Sequence, residues 1–168
     1  MKKTIYSLLV LMLVTFLSAT AQKPASPKET VKGTIDGATV EIVYSAPSAK
    51  GRKVIGSLVP YGEVWRTGAN KATSIEFDKN VKIEGKDLPK GKYELFTIPG
   101  EAEWIIIIQK FANQSGAFDY KESNDVLRVT VKAGKTPAMV ETFKISTDKN
   151  GVNLQWENTA VSFKVKGV

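Results

Sequence analysis

Thr39-Val40-Glu41-Ile42-Val43-Tyr44 decides the fold. Val40, Ile42 and Tyr44 alternate with Thr39, Glu41 and Val43, a period of two that in an extended chain sends one set inward and the other to solvent. Just upstream, Asp36-Gly37 separates two β-rich runs and predicts a type I′ hairpin, a turn that needs positive φ at both central residues. The same alternation recurs at Ile75 and Phe77, at Leu127, Val129 and Val131, at Val152, Leu154 and Trp156, and at Val161, Phe163 and Val165. Trp104 to Ile108 is apolar at every position, the pattern of a central strand covered on both faces. Glu84-Gly85 and Asn150-Gly151 repeat the hairpin signal, and Leu88-Pro89-Lys90-Gly91 introduces a strand from Tyr93 to Ile98. No amphipathic helix longer than two turns is visible. Short turns are expected at Ile55 to Val59 and at Tyr120 to Asp125. About nine to eleven short strands at this spacing predict an all-β chain, a single antiparallel β-sandwich with one long irregular loop.

At the N-terminus, Lys2 and Lys3 precede an apolar run from Ile5 to Leu17 and a small-x-small site at Ala19-Thr20-Ala21. This reads as a secretory signal peptide over 1–21, removed on export, which places the protein in the periplasm or outside the cell. The apolar run is short for a membrane anchor of ~20 residues, and no later segment approaches that length. Residues 22–30 read as a mobile polar lead-in and 31–168 as one domain. Cleavage of the 168-residue chain leaves about 147 residues, enough for a core without covalent staples. There is no Cys, so burial and backbone hydrogen bonding must hold the fold.

The chain has 24 Lys and Arg against 17 Asp and Glu. The lysines are scattered singly, as in Val81-Lys82-Ile83-Glu84, which fits solvated strand faces rather than a nucleic-acid footprint. There is no His either. The missing His and Cys exclude Ser-His-Asp and Cys-His triads, thiol redox chemistry and metal or haem sites built on those ligands. No cofactor is expected. Gly134-Lys135-Thr136 lacks the first glycine and the following helix of a phosphate loop. Ser146 and Lys149 have S-x-x-K spacing but fall at a turn. Asp148 to Gly151 lacks the distal Glu of a calcium loop. Asn113-Gln114-Ser115 is a glycosylation sequon. Glu63, Glu76, Glu94, Glu101, Glu103 and Asp119 lie near loops or strand ends, and a carboxylate-based hydrolase would need two of them facing across a cleft.

One segment has no strand or helix pattern: Ser45 to Thr73, with four glycines, Arg52, Arg66, Tyr61 and Trp65. Stretches this long are functional or heavily braced. Arg52 and Arg66 offer planar forks for carboxylate, phosphate or sulfate. Tyr61 and Trp65 offer flat faces, and Asn70 a donor and an acceptor. Together they would line a site for an anionic or polyhydroxylated small molecule or glycan. In the competing reading the aromatics are core anchors and the arginines bond loop carbonyls.

The same residues resemble the exported bacterial family catalogued as domain of unknown function 2911. The resemblance rests on P-S-x-K-G-R at Pro47 to Arg52, L-V-P-Y-G-x-V-W-R-T-G-A-N at Leu58 to Asn70, L-P-x-G-x-Y at Leu88 to Tyr93, G-A-F-D-Y at Gly116 to Tyr120, D-V-L-R-V at Asp125 to Val129 and W-E-N-T at Trp156 to Thr159. The family pattern has an Arg where this chain has Ala46 and a Trp where it has Ser115. The resemblance implies one exported β-rich domain and supplies no activity, cofactor or catalytic residue. Three expectations follow: a non-enzymatic binding domain, a carboxylate-based hydrolase acting on glycans or envelope material, or an assembly domain pairing through a sheet edge.

Overall fold

The computed structural model describes residues 25–168, so the segment read as a signal peptide lies outside the described residues. Nine strands follow in chain order: β1 (Lys28–Ile35), β2 (Ala38–Ser45), β3 (Thr73–Phe77), β4 (Val81–Ile83), β5 (Lys86–Leu88), β6 (Gly91–Ile98), β7 (Glu103–Lys110), β8 (Asp125–Thr147) and β9 (Gly151–Gly167). All pair antiparallel, in the order β1-β2-β3-β6-β7-β8-β9-β4-β5, as one sheet not closed into a barrel. The only helical element among the described residues is a 3-10 turn at Glu122–Asn124, inside one of the two expected turns. Strand pairing begins at Lys28, so the end of the polar lead-in is already ordered: Lys28 to Thr30 face Ser45 to Val43 across the first hairpin.

The alternating sets fall as read. Val40, Ile42, Ile75 and Phe77 are buried, and so are the odd-numbered residues of Leu127 to Val131 and of Val161 to Val165. Trp104, Ile106, Ile107 and Ile108 are buried between β6 and β8. Asp36 (φ 47°) and Gly37 (φ 76°) occupy the left-handed region their hairpin requires, as do Glu84 and Gly85. Asn150-Gly151 does not. There Asp148 Oδ1 accepts the Asn150 and Gly151 amides at 2.7 and 3.1 Å, an Asx-type turn. Gly151 is needed for space, since a Cβ would collide with the Phe163 carbonyl.

The expectation of uniformly short strands fails at β8 and β9, of 23 and 17 residues. The alternating runs at Val152 to Trp156 and Val161 to Val165 belong to one strand. Both long strands change layer. The start of β8 pairs with β7, and its end, Lys144 to Thr147, pairs with β9. The end of β9 pairs with β4. The β8–β9 register shifts twice, near Val140, and Glu157 sits at φ 50°. Such irregularities let a strand turn the corner of a sandwich. The folded sheet encloses one continuous core.

Two irregular segments complete the fold. Ala46 to Ala72 joins the neighbouring strands β2 and β3 and closes one end of the sandwich. Phe111 to Lys121 folds back over the outer face of β6 and β7. It buries Phe96 and Ile107, which lie outside the main core, with the Tyr120 ring 5.3 Å from Phe96.

Candidate functional site

The loop from Ala46 to Ala72 is anchored at both levels of the sandwich. Ser48 bridges to Thr142 of β8, Ala49 donates to the Glu141 carbonyl, and Phe143 donates to the Pro47 carbonyl. Glu157 reaches across from β9, and its Oε2 accepts the Val54 and Ile55 amides at 2.8 and 3.0 Å. Trp65 exchanges two backbone hydrogen bonds with Thr97 of β6. Thr67 and Thr73 are fully buried and linked, the Thr73 hydroxyl donating to the Thr67 carbonyl at 2.7 Å. These bonds satisfy a backbone that has no ladder of its own.

Trp65 is the keystone. Its ring stacks on Trp156 at 5.7 Å and 20°, and meets Phe143 and Trp104 edge-on at 4.9 and 6.2 Å. Its indole N–H donates to the Gly68 carbonyl at 3.0 Å. Trp65 and Trp156 floor a cleft of about 300 Å³ walled by Leu58, Pro60, Val64 and Pro47, with Glu63 and Arg66 also lining it.

The five candidate residues do not converge. Trp65 and Arg66 line this cleft; Arg52, Tyr61 and Asn70 do not. Arg52 is a brace: its Nε and Nη2 donate to the Ala49 and Ser48 carbonyls at 2.8 and 2.9 Å. Tyr61 lies over Gly56, where a Cβ would come within 2.6 Å of the ring; Gly56 also sits at φ 80°. Asn70 donates to the Ser45 hydroxyl at 3.3 Å and lines a different cavity. Arg66 differs from Arg52. Its Nε is buried and has no hydrogen-bond partner among the described residues. It runs beneath Gly116, whose added Cβ would lie 3.3 Å from Nη1. Ser115 is exposed next to that contact.

The second cavity is a groove of about 550 Å³ on the outer face of β2, β3 and β6, lined among others by Lys28, Lys71, Lys92, Asn70, Asn113 and Phe111. Glu94 also lines it and is 1% exposed. Strand alternation alone would put Glu94 in solvent; the Phe111 to Lys121 segment buries it. One carboxylate oxygen accepts the Gln114 amide at 2.7 Å. The other, Oε2, is buried without a partner, as is Gln114 Oε1.

From Gln114 a polar chain runs along the outer face. Gln114 Nε2 donates to Gln109 Oε1, and Gln109 Nε2 donates to the Lys121 carbonyl and Asp125 Oδ1. Both acceptors at the far end are fixed, so both amides are held in one orientation. Tyr120 donates to Asp125 Oδ2 at 2.7 Å. Burial and that carboxylate push the Tyr120 hydroxyl up to about 12. Of the six carboxylates considered for hydrolysis, Glu63 lines the cleft and Glu94 the groove, while Glu76, Glu101, Glu103 and Asp119 are exposed. Among the described residues no group of three or more acidic side chains is placed to hold a metal ion, and no helix is long and apolar enough to cross a membrane.

Fold and cavities define an all-β domain whose one long loop is stapled into its core and carries a cleft floored by two stacked indoles. The chain belongs to the family described as protein of unknown function (DUF2911), which matches residues 26–165. No curated protein and no solved structure matches it. The family resemblance gains a physical content here. W-E-N-T supplies Trp156 to the cleft floor and Glu157 to the loop's amides, so two distant motifs meet at one place.

Proposed function

We propose that this protein is an exported binding domain, without catalytic activity of its own, and that the loop cleft takes a small ring-bearing ligand. The observation that carries the reading is the cleft's place in the chain. Antiparallel neighbours such as β2 and β3 need only a two-residue hairpin. Instead the connection runs from Ala46 to Ala72 and builds a concavity floored by Trp65 and Trp156. Irregular chain held rigidly on a β scaffold is where binding sites concentrate. At about 300 Å³ the cleft is at the small end of ligand sites and suits one sugar or aromatic ring. The apolar walls fit the ring face, and Glu63 and Arg66 fit its polar substituents. The signal-like N-terminus supports export to the periplasm or medium.

All three tryptophans lie in one cluster, Trp65 and Trp156 lining the cleft and Trp104 packed edge-on against Trp65. Indole emission therefore reads the cleft directly. Titration with a panel of monosaccharides and aromatic amino acids should give a saturable change for at least one class. Leu58→Ser and Glu63→Gln, both at exposed positions of the wall, should weaken it by about threefold or more while leaving the melting temperature unchanged. Emission that stays flat across the panel, or a titration indifferent to both variants, would remove the cleft from consideration.

A further inference from the structure

The outer groove differs in chemistry from the loop cleft. A carboxylate oxygen buried without a donor is costly. Glu94 Oε2 is in that state, at the wall of a groove, while Oε1 of the same group is satisfied. A ligand that satisfies Oε2 must donate to it, with either a hydroxyl or an ammonium.

The rim selects between them. Lys28, Lys71 and Lys92 line the groove. Glu41 lines it too, but its carboxylate is tied to Lys32 at 2.6 Å, which holds it below the usual carboxylate range. The unneutralised charge of the rim is thus positive, which repels a bare ammonium and attracts an anion. Asn70 and Asn113 add amides, and Phe111, 43% exposed, adds an aromatic face. Hydroxyl donors, an anionic substituent and a ring face together describe an acidic sugar.

We propose that this groove binds acidic sugar units of a uronate-bearing oligosaccharide. A sugar hydroxyl donates to Glu94 Oε2, the sugar carboxylate meets Lys71 and Lys92, and the ring lies against Phe111. Oε2 is buried in the structure, so rim side chains must turn aside when the sugar enters. Lys92 stacks 4.7 Å over the Phe111 ring, and both side chains have solvent to turn into. At about 550 Å³ the groove has room for more than one sugar ring, which suits a chain of sugars over a free monosaccharide.

The test is calorimetric titration of the folded protein with a homogeneous hexagalacturonate. Two controls are the same oligosaccharide reduced to its neutral form, and inorganic phosphate. Saturable binding of the acid form, at least about tenfold tighter than the neutral form, is expected. A Lys71→Glu, Lys92→Glu double variant should lose about tenfold or more. Glu94→Gln should weaken binding about threefold or more with far-ultraviolet circular dichroism unchanged. Indole titrations of the loop cleft should be indifferent to all of these variants, so failure at one site is separable from failure at the other. Equal affinity for acid and neutral forms overturns the proposal. So does absence of saturable binding, or binding that phosphate displaces and that survives Glu94→Gln, which marks a non-specific polyanion effect.

Discussion

The two irregular segments, Ala46 to Ala72 and Phe111 to Lys121, both cover the sheet, and they do it by opposite means. The first enters the core. It delivers Trp65, Val54, Ile55 and Val59 to the main apolar cluster and hands its backbone amides to Glu157, Thr97 and Ser45. The second lies on the outside. It covers Phe96 and Ile107 but also shuts in Glu94, Gln109 and Gln114, leaving Glu94 Oε2 and Gln114 Oε1 without donors. Arg52 and Arg66 show the same contrast within one loop. Arg52 holds two carbonyls, whereas Arg66, which runs under the second segment, keeps a buried Nε with no partner among the described residues. A polar group that braces the chain is matched inside the chain. Three of the unmatched groups, Arg66 Nε, Glu94 Oε2 and Gln114 Oε1, lie where the second segment meets the rest of the fold, while a fourth, Trp104 Nε1, sits in the main core.

The comparison breaks most easily at Trp65. Trp65→Ala should cost about 3–5 kcal/mol, measured by urea unfolding, because a buried indole leaves a cavity among three aromatic neighbours. A loss under about 1 kcal/mol would mean that the loop is not part of the core. Glu157→Ala should follow at about 2 kcal/mol, since the Val54 and Ile55 amides lose a charged acceptor. Its effect should concentrate in amide exchange of residues near Val54, not in the sheet.

At Glu94 the sign should reverse. Glu94→Gln keeps an acceptor for the Gln114 amide and removes a buried charge, so stability should rise by about 1 kcal/mol. Destabilisation by the same amount would show that the charge is already compensated and would erase the contrast between the segments. Tyr120 gives a smaller, pH-dependent effect. Its hydroxyl is raised from 10.0 to about 12 in the fold, by burial first and then by Asp125. The stability from keeping it protonated is complete below pH 10 and is lost as pH rises towards 12. Melting temperatures across that window should fall less in Tyr120→Phe than in the parent. The smallest effect belongs to Arg52→Ala, under about 1 kcal/mol, because of its two carbonyl bonds one is exposed and the other only part-buried.

Much of this was written in local pattern. Period-two runs name the inward residues of β2, β3, β8 and β9 because alternation in an extended chain is a local geometric fact. Asp36-Gly37 and Glu84-Gly85 give their turns because positive φ is a property of two residues. Asn150-Gly151 looks the same on paper, but Asp148, two residues upstream of Asn150, captures the amides and a different turn forms. Sequence singled out five residues in the long loop as one site; in the structure Trp65 and Arg66 line one cavity and Asn70 another. Sequence could not tell Arg52 from Arg66, since the difference lies in which distant segment covers each. Trp156 and Glu157 carried a visible hint, the W-E-N-T motif, but nothing local says that it faces Leu58 to Asn70. Glu94 carried none, since alternation points it to solvent.

The sequence by itself determined an all-β chain, its strand phases, most of its turns, and the absence of His and Cys chemistry, because each depends on neighbours in the chain or on residue type alone. Only the tertiary structure decided that β8 and β9 each span two layers, that Trp156 and Glu157 close the long loop, and that Glu94 is buried. Those outcomes depend on pairings between residues far apart in sequence, whose free energy is set by what covers them rather than by what precedes them.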